Sequence, residues 1–310
     1  MSFARFLLEH RGEIMNIGIV GAGAIGLLFG AYFSEAGHRI TFLVRETNGS
    51  KHLYIEKSNE NRERIVCEIV SDIADLQKMD LIIIAVKYHH LKQLKDQLNS
   101  LPLQIPLLFI QNGLSHIDFL EQLQQDTILI GSVLHGATKK NNYTVQHLGV
   151  GPTYIGFYKG EWHFINNIVE KNNDKFPMIL TPNIEQMLVK KAMLNCLINP
   201  LTTIACVTNG ELINNDSYKV ILRSMYNEMM EAFEEWKETL TWDEVVALCE
   251  NTGSNRSSML KDFENGRMME LDTIVGAILE RATLRKKTLP ILQAFYLLLS
   301  EINKEGDYNR

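Results

Sequence analysis

Residues 17–34, IGIVGAGAIGLLFGAYFS, form an uncharged run of 18 residues that five glycines divide into two patterns. The apolar stretch NIGIV has the length of a buried strand, and AIGLLFGAYFSEAG carries apolar residues at helical spacing up to a glycine stop. An unbroken run of that length would flag a membrane span; the glycines and the change of period make it strand, turn and helix instead. HRITFLVR reads as the next strand, and RIVCEIV, DLIIIAV, PLLFI and TILIGS follow. Helical connections such as HHLKQLKDQLNSL and SHIDFLEQLQQ separate several of them. This alternation predicts a parallel sheet covered on both faces. YTVQHL and TYIGFY have no helical crossover and predict an antiparallel extension at one edge.

From about residue 183 the period changes. IEQMLVKKAMLNCLI, SYKVILRSMYNEMMEAFEEWKE, WDEVVALCEN and MELDTIVGAILERATLRKK are helical stretches with no convincing strand among them. The expected organisation is an α/β domain over residues 15–180 and an all-α C-terminal domain over 181–310. Composition changes this little: 45% hydrophobic and 22% charged residues in 310 are ordinary for a globular chain. The net charge of −6 and the lack of a basic block give no reason to expect nucleic acid or an anionic membrane surface, so the expected partner is a small molecule. Cys67, Cys196, Cys206 and Cys249 lie far apart without a CxxC pair, which suits reduced thiols in the cytoplasm. MSFARFLLEHRGEIM carries both charge signs and lacks a small-residue cleavage site, so it reads as an extension ahead of Met15 rather than a secretory signal.

The chemistry starts at GAGAIG, which is Gly21, Ala22, Gly23, Ala24, Ile25 and Gly26. Between a strand and a helix, Gly21 suits the tight turn, Gly23 the approach of backbone to a pyrophosphate, and Gly26 close helix–strand contact. The α/β domain is therefore expected to be a Rossmann-type doubly wound sheet that binds a dinucleotide with phosphate at the helix start. Arg45 follows the second strand, where it can fork onto a 2′-phosphate and favour NADP; Glu46 beside it keeps NAD as the alternative. Lys87 and Asn112 fall just past the carboxyl ends of two buried strands, the side on which open α/β sheets bind ligands. His89 and His90 adjoin but suggest no third ligand, so no metal is expected. His135 ends another strand and reads equally well as a structural or a site histidine.

KKAMLNCLINPLTT, residues 190–203, spaces Lys191, Asn195 and Asn199 four apart on one helical stripe among apolar neighbours. A snorkelling lysine would explain Lys191 alone. With two amides in line and a hydride carrier expected next door, a desolvated lysine can protonate a carbonyl oxygen while the amides orient substrate. Pro200 is expected to bend or end the helix.

These residues resemble the ketopantoate reductase (2-dehydropantoate 2-reductase) family from Met15 onward. The matching segments are IGIVGAGAIG, AVKYHH, IQNGL, HGAT, KKAMLNCLINPLTTIACVTNGEL and NRSSMLKDFENGRMMELDTIVG. The resemblance implies NADPH-dependent reduction of 2-ketopantoate to pantoate, on the way to pantothenate and coenzyme A. It implies Lys191 as general acid, Asn195 and Asn199 as substrate-contacting amides, and Ser258 and Glu270 as two further site residues. Lys87 and Asn112 take positions near cofactor and substrate, and the active site is expected in the cleft between the two domains, with Lys191 and Asn112 facing one another across it. NGEL, residues 209–212, is assigned to an interhelical turn. Two departures stand out: ATLRKKTLP lacks a glycine before the last helix, and Ser115 replaces a second glycine after Gly113. Competing readings are a reductase of another branched 2-keto acid and a noncatalytic NADP-binding protein. Monomer and homodimer both fit the sequence.

Overall fold

The computed structural model describes residues 14–45, 52–57, 62–141, 144–163, 165–169 and 174–308. Glu46, the alternative ribose partner, and the extension up to residue 13 lie outside them. The chain divides into two compact units: the described residues up to Gln111 together with Ile117–Ile184 belong to one, and Asn112–His116 with the described residues from Glu185 onward to the other.

The first unit begins with β1 (Asn16–Val20), α1 (Ala24–Glu35), β2 (Arg39–Leu43), β3 (Leu53–Glu56), β4 (Arg62–Ile65), β5 (Cys67–Val70) and β6 (Leu81–Ile84). It continues with α2 (Tyr88–Leu91), α3 (Lys95–Asn99), β7 (Leu107–Phe109), α4 (Ile117–Leu120), β8 (Ile128–Val133), β9 (Gly136–Asn141), β10 (Thr144–Gly149), β11 (Thr153–Lys159), α5 (Ile165–Val169) and β12 (Met178–Leu180). The eight-stranded sheet has the order β12-β11-β8-β7-β6-β1-β2-β5. All its pairs are parallel except β8 with β11; TYIGFY is antiparallel as the lack of a crossover predicts, but it is not the edge, because β12 pairs in parallel outside it.

A second sheet, β4-β3-β10-β9, has no counterpart in the sequence pattern. RIVCEIV is not one strand: Ile65 is buried in the small sheet, exposed Val66 breaks the run, and Cys67 pairs with Ile40 in the large sheet. YTVQHL likewise supplies β10 of the small sheet rather than an edge of the large one. Helix α1 lies against strands of both sheets, with Gly26 through Phe33 buried. This is why the run 17–34 is apolar all round: the helix has no solvent face. Among the described residues no helix is long and apolar enough to cross a membrane.

The second unit holds α6 (Ile184–Ala205), α7 (Glu211–Asn214), α8 (Asp216–Ala232), α9 (Trp242–Asn251), α10 (Ser258–Glu264), a π-turn (Asp272–Gly276) that runs into α11 (Ala277–Leu284), and α12 (Pro290–Tyr308). Helix α6 does not end at Pro200. The missing N–H leaves the Cys196 carbonyl without its usual donor, yet the Thr202 hydroxyl donates to the Ile198 carbonyl at 2.9 Å and that of Thr203 to the Asn199 carbonyl at 2.7 Å. The helix stops where Val207 N–H reaches back to the Thr202 carbonyl and Cys206 turns left-handed at φ 55°. NGEL is a turn only over its first half, since Glu211 opens α7. The glycine missing before the last helix has a counterpart in Lys286, which adopts φ 56° itself.

Candidate active site

The carboxyl ends of three adjacent strands, β6, β1 and β2, carry the glycine loop, Lys87 and Arg45. Gly21 has φ 105° and its N–H donates to the Leu43 carbonyl at 3.1 Å, which ties the turn to the end of β2. A Cβ on Gly26 would stand 2.1 Å from the Gly21 carbonyl oxygen, so helix and turn meet without room for a side chain. Gly23 differs. A Cβ there would meet nothing nearer than the Ala85 carbonyl oxygen at 3.9 Å, and no side chain caps the start of α1. Ala24 and Ile25 open that helix, and Ala22 completes the turn. Free helix-start N–H groups beside an open glycine fit a pyrophosphate.

Arg45 is exposed, and its Nη2 donates to Nδ1 of His90. A guanidinium can only donate, so this imidazole carries its proton on Nε2, which lies 3.0 Å from Nε2 of His89. Burial first, and then His89, Arg45 and Lys87, push the His90 pKa down to about 4. Such a cluster of basic side chains suits a phosphate monoester better than a ribose hydroxyl pair. Among the described residues no group of three or more His, Cys, Asp or Glu could hold a metal ion.

The second constellation lies wholly within the helical unit. Lys191 Nζ donates to Asn112 Oδ1 at 3.2 Å, and Asn112 Nδ2 donates to Glu270 Oε2 at 3.3 Å. The amide thus joins an ammonium to a carboxylate, with each end facing the partner its polarity requires. Desolvation pushes the Lys191 pKa down to about 8, against the pull of the Glu270 carboxylate. Glu270 is not inside a helix. It stands directly before the turn that opens at Leu271, and its carbonyl accepts from Ile274 N–H at 3.3 Å and from the Thr273 hydroxyl at 3.1 Å. On its other side, Asn303 of α12 brackets Met269, accepting from its N–H at 3.0 Å.

Segment 112–116 joins the helical unit through Gly113. Its φ of 77° turns the chain so that Leu114 N–H donates to the Thr273 carbonyl at 3.0 Å. Gln111, immediately before, is buried and donates from Nε2 to the Ile84 and Val86 carbonyls at 2.8 and 3.1 Å. Asn112 is therefore fixed by its neighbours on both sides. An Asn-Gly pair signals only a turn, and neither Gln111 nor Thr273 carries a mark in sequence.

The other expected residues are placed as follows. Asn195 is half-buried one turn along α6 from Lys191, and Asn199 is buried two turns along, with Nδ2 lacking a hydrogen-bond partner. Ser258 is exposed at the first position of α10, outside the Lys191–Asn112–Glu270 set. Its neighbour Ser257 is the buried one: its Oγ accepts from Leu260 N–H and shares a hydroxyl–hydroxyl hydrogen bond with Thr202 Oγ1 at 2.9 Å, which docks α10 on α6. A serine before an apolar run is a readable cap signal. His135 is buried, stacked on Phe176 with ring centroids 4.4 Å apart and bonded through Nδ1 to His147 at 3.2 Å.

Fold and site together define a class: an oxidoreductase that pairs a Rossmann-type dinucleotide unit with a helical unit carrying a low-pKa lysine. The profile of the ketopantoate reductase PanE/ApbA family matches residues 17–160, and that of its C-terminal domain matches 183–303. The chain belongs to this family. It is 34% identical over 300 residues to the 2-dehydropantoate 2-reductase of Listeria monocytogenes, covering 94% of this chain and 98% of the relative. The 2-dehydropantoate 2-reductase of Bacillus subtilis is 31% identical over 275 residues, 87% of this chain and 92% of that one. A crystal structure of a probable 2-dehydropantoate 2-reductase from Bacillus subtilis aligns with TM-score 0.84 at 30% identity, covering 93% of this chain and all of that one.

Proposed function

We propose that the protein reduces 2-dehydropantoate to pantoate with NADPH, in the supply of pantothenate and coenzyme A. Residues 15–180 serve as the cofactor domain and 181–310 as the substrate and catalytic domain. The observation that carries this reading is a lysine pushed to about 8 and hydrogen-bonded through an amide to a carboxylate. Bound NADPH supplies a hydride to the carbonyl carbon. Lys191 gives its proton to the carbonyl oxygen as negative charge grows there, and is reprotonated from solvent afterwards. Glu270 keeps the ammonium charged before that transfer, and Asn112 holds the two in register. Asn195, Asn199 and Ser258 bind the substrate's oxygens; the spare Nδ2 donor of Asn199 suits a carboxylate or hydroxyl. In the cofactor domain Gly21, Ala22, Gly23, Ala24, Ile25 and Gly26 would hold the pyrophosphate and Arg45 the 2′-phosphate, and Lys87 and Asn112 are further residues that would bind the cofactor. The reading places the enzyme in the cytoplasm, where its thiols stay reduced.

Steady-state turnover across a panel of 2-keto acids tests the reading, with 2-dehydropantoate expected to give the highest kcat/KM. A different branched keto acid in first place would move the assignment to a sister reductase, for which Ser115 in the turn after Gly113 is the residue to examine. No turnover on any member would leave a cofactor-binding protein. NADPH is expected to outperform NADH, and Arg45→Ala to raise KM for NADPH about tenfold or more while leaving that for NADH nearly unchanged. Equal use of both cofactors by the wild type would remove Arg45 from the phosphate site.

A further inference from the structure

Cys196 follows Asn195 on α6 and is fully buried. Its thiol donates to the Ile274 carbonyl at 3.3 Å. Burial holds the thiol far above its ordinary pKa, so the proton needed for that bond stays in place. Ile274 lies in the π-turn, where Ala277 N–H reaches back five residues to the Asp272 carbonyl instead of four. A widened turn leaves carbonyls poorly served by their own helix, and such turns concentrate at functional sites. The same stretch is held elsewhere too: Leu114 N–H bonds the Thr273 carbonyl, and the Tyr296 hydroxyl bonds Asp272 Oδ1 at 2.7 Å. Those bonds fasten the turn to the Asn112 loop and to α12. Only the Cys196 bond, among these, fastens it to the helix that carries Lys191.

We propose that Cys196 is a positioning residue: its thiol clamps the turn that follows Glu270 onto α6 and so sets the separation of the Glu270 carboxylate from the Lys191 ammonium. The chain of consequence is short. Ile274 N–H bonds the Glu270 carbonyl, so a turn that drifts from α6 carries Glu270 with it. Coulombic support for the ammonium then weakens while desolvation of Lys191 persists, and the lysine loses its proton at lower pH. The inference deepens the reading of Lys191 as proton donor and rests on it for its catalytic meaning.

The test compares Cys196→Ala, which removes the donor, with Cys196→Ser, which keeps one. In the full-length protein, the pH dependence of Lys191 acetylation by acetic anhydride, with acetate as the leaving group and mass spectrometry as the readout, gives the lysine pKa without turnover. Cys196→Ala is expected to lower it by about half a unit to one unit, with the alkaline fall in kcat moving the same way. Cys196→Ser is expected to stay within about 0.2 units of the wild type. A lower melting temperature for the alanine variant with an unmoved Lys191 pKa would overturn the proposal and leave Cys196 as packing; so would a serine variant that shifts as far as alanine. A shifted acylation curve together with full turnover by Lys191→Ala would sustain the clamp and reject the proton-donor reading, which keeps the two claims separable.

Discussion

Lys191→Ala is expected to lower the turnover number about 10²-fold or more, the usual scale for loss of a general acid, while NADPH binding changes little. The glycine loop belongs to the first unit and the lysine to the second, so truncation leaves the phosphate cradle intact. The pH dependence makes the prediction specific. Donation needs the ammonium form, and desolvation has brought Lys191 down to about 8, so wild-type turnover falls as pH rises through that region. The sign for Glu270 follows: its carboxylate raises the lysine pKa, so Glu270→Gln moves the fall to lower pH and reduces activity at neutrality. Turnover measured from about pH 6 to about pH 10, with deuterated NADPH to verify that hydride transfer is observed, checks both. A Lys191→Ala enzyme at wild-type turnover would reduce the helix to a packed element with a snorkelling lysine.

Much of this arrangement can be read from the chain because the physics there is local. The glycine loop announces itself by three glycines at fixed spacing between a strand and a helix, and Lys191, Asn195 and Asn199 by a four-residue step within one helix. Both signals need only the period of the element they sit on. The small sheet is hidden because its strands come from distant segments, with β3 pairing β10 across roughly ninety residues of chain. RIVCEIV misleads for a related reason: its apolar positions serve two sheets in succession, and a single exposed valine is all that marks the change. Glu270 reads as helical because nothing in MELDTIV shows that the helix begins one residue later, with a π-turn. The continuation of α6 past Pro200 is not signalled either, since a proline followed by two threonines has a helix propensity that argues the other way. Ser258 overshadows Ser257 in sequence, although burial falls on the first of the pair.

Gly113→Ala is expected to be the most damaging single-methyl change in the helical unit. Two penalties coincide there. At φ 77° an alanine is strained by roughly 1–2 kcal/mol. Its Cβ would also stand 2.1 Å from the Thr273 carbonyl oxygen, a backbone atom that no side-chain rotation can move aside. The loop or the turn must shift, so that strain and overpacking together should cost about 2–4 kcal/mol of stability. The bond from Leu114 N–H to the Thr273 carbonyl is then lost, and with it the register that puts Asn112 between Lys191 and Glu270. A displacement of about 1 Å at such a site is enough for a fall in kcat of about 10²-fold. Gly37→Ala is the control: Gly37 has φ 90°, but a Cβ added there would meet nothing within 4 Å, and it lies in the first unit. That variant should show the strain penalty in denaturant titration and keep its turnover. If Gly113→Ala loses only as much stability as the control and turns over normally, the loop does not hold Asn112 in place, and the amide bridge between Lys191 and Glu270 is maintained by some other contact.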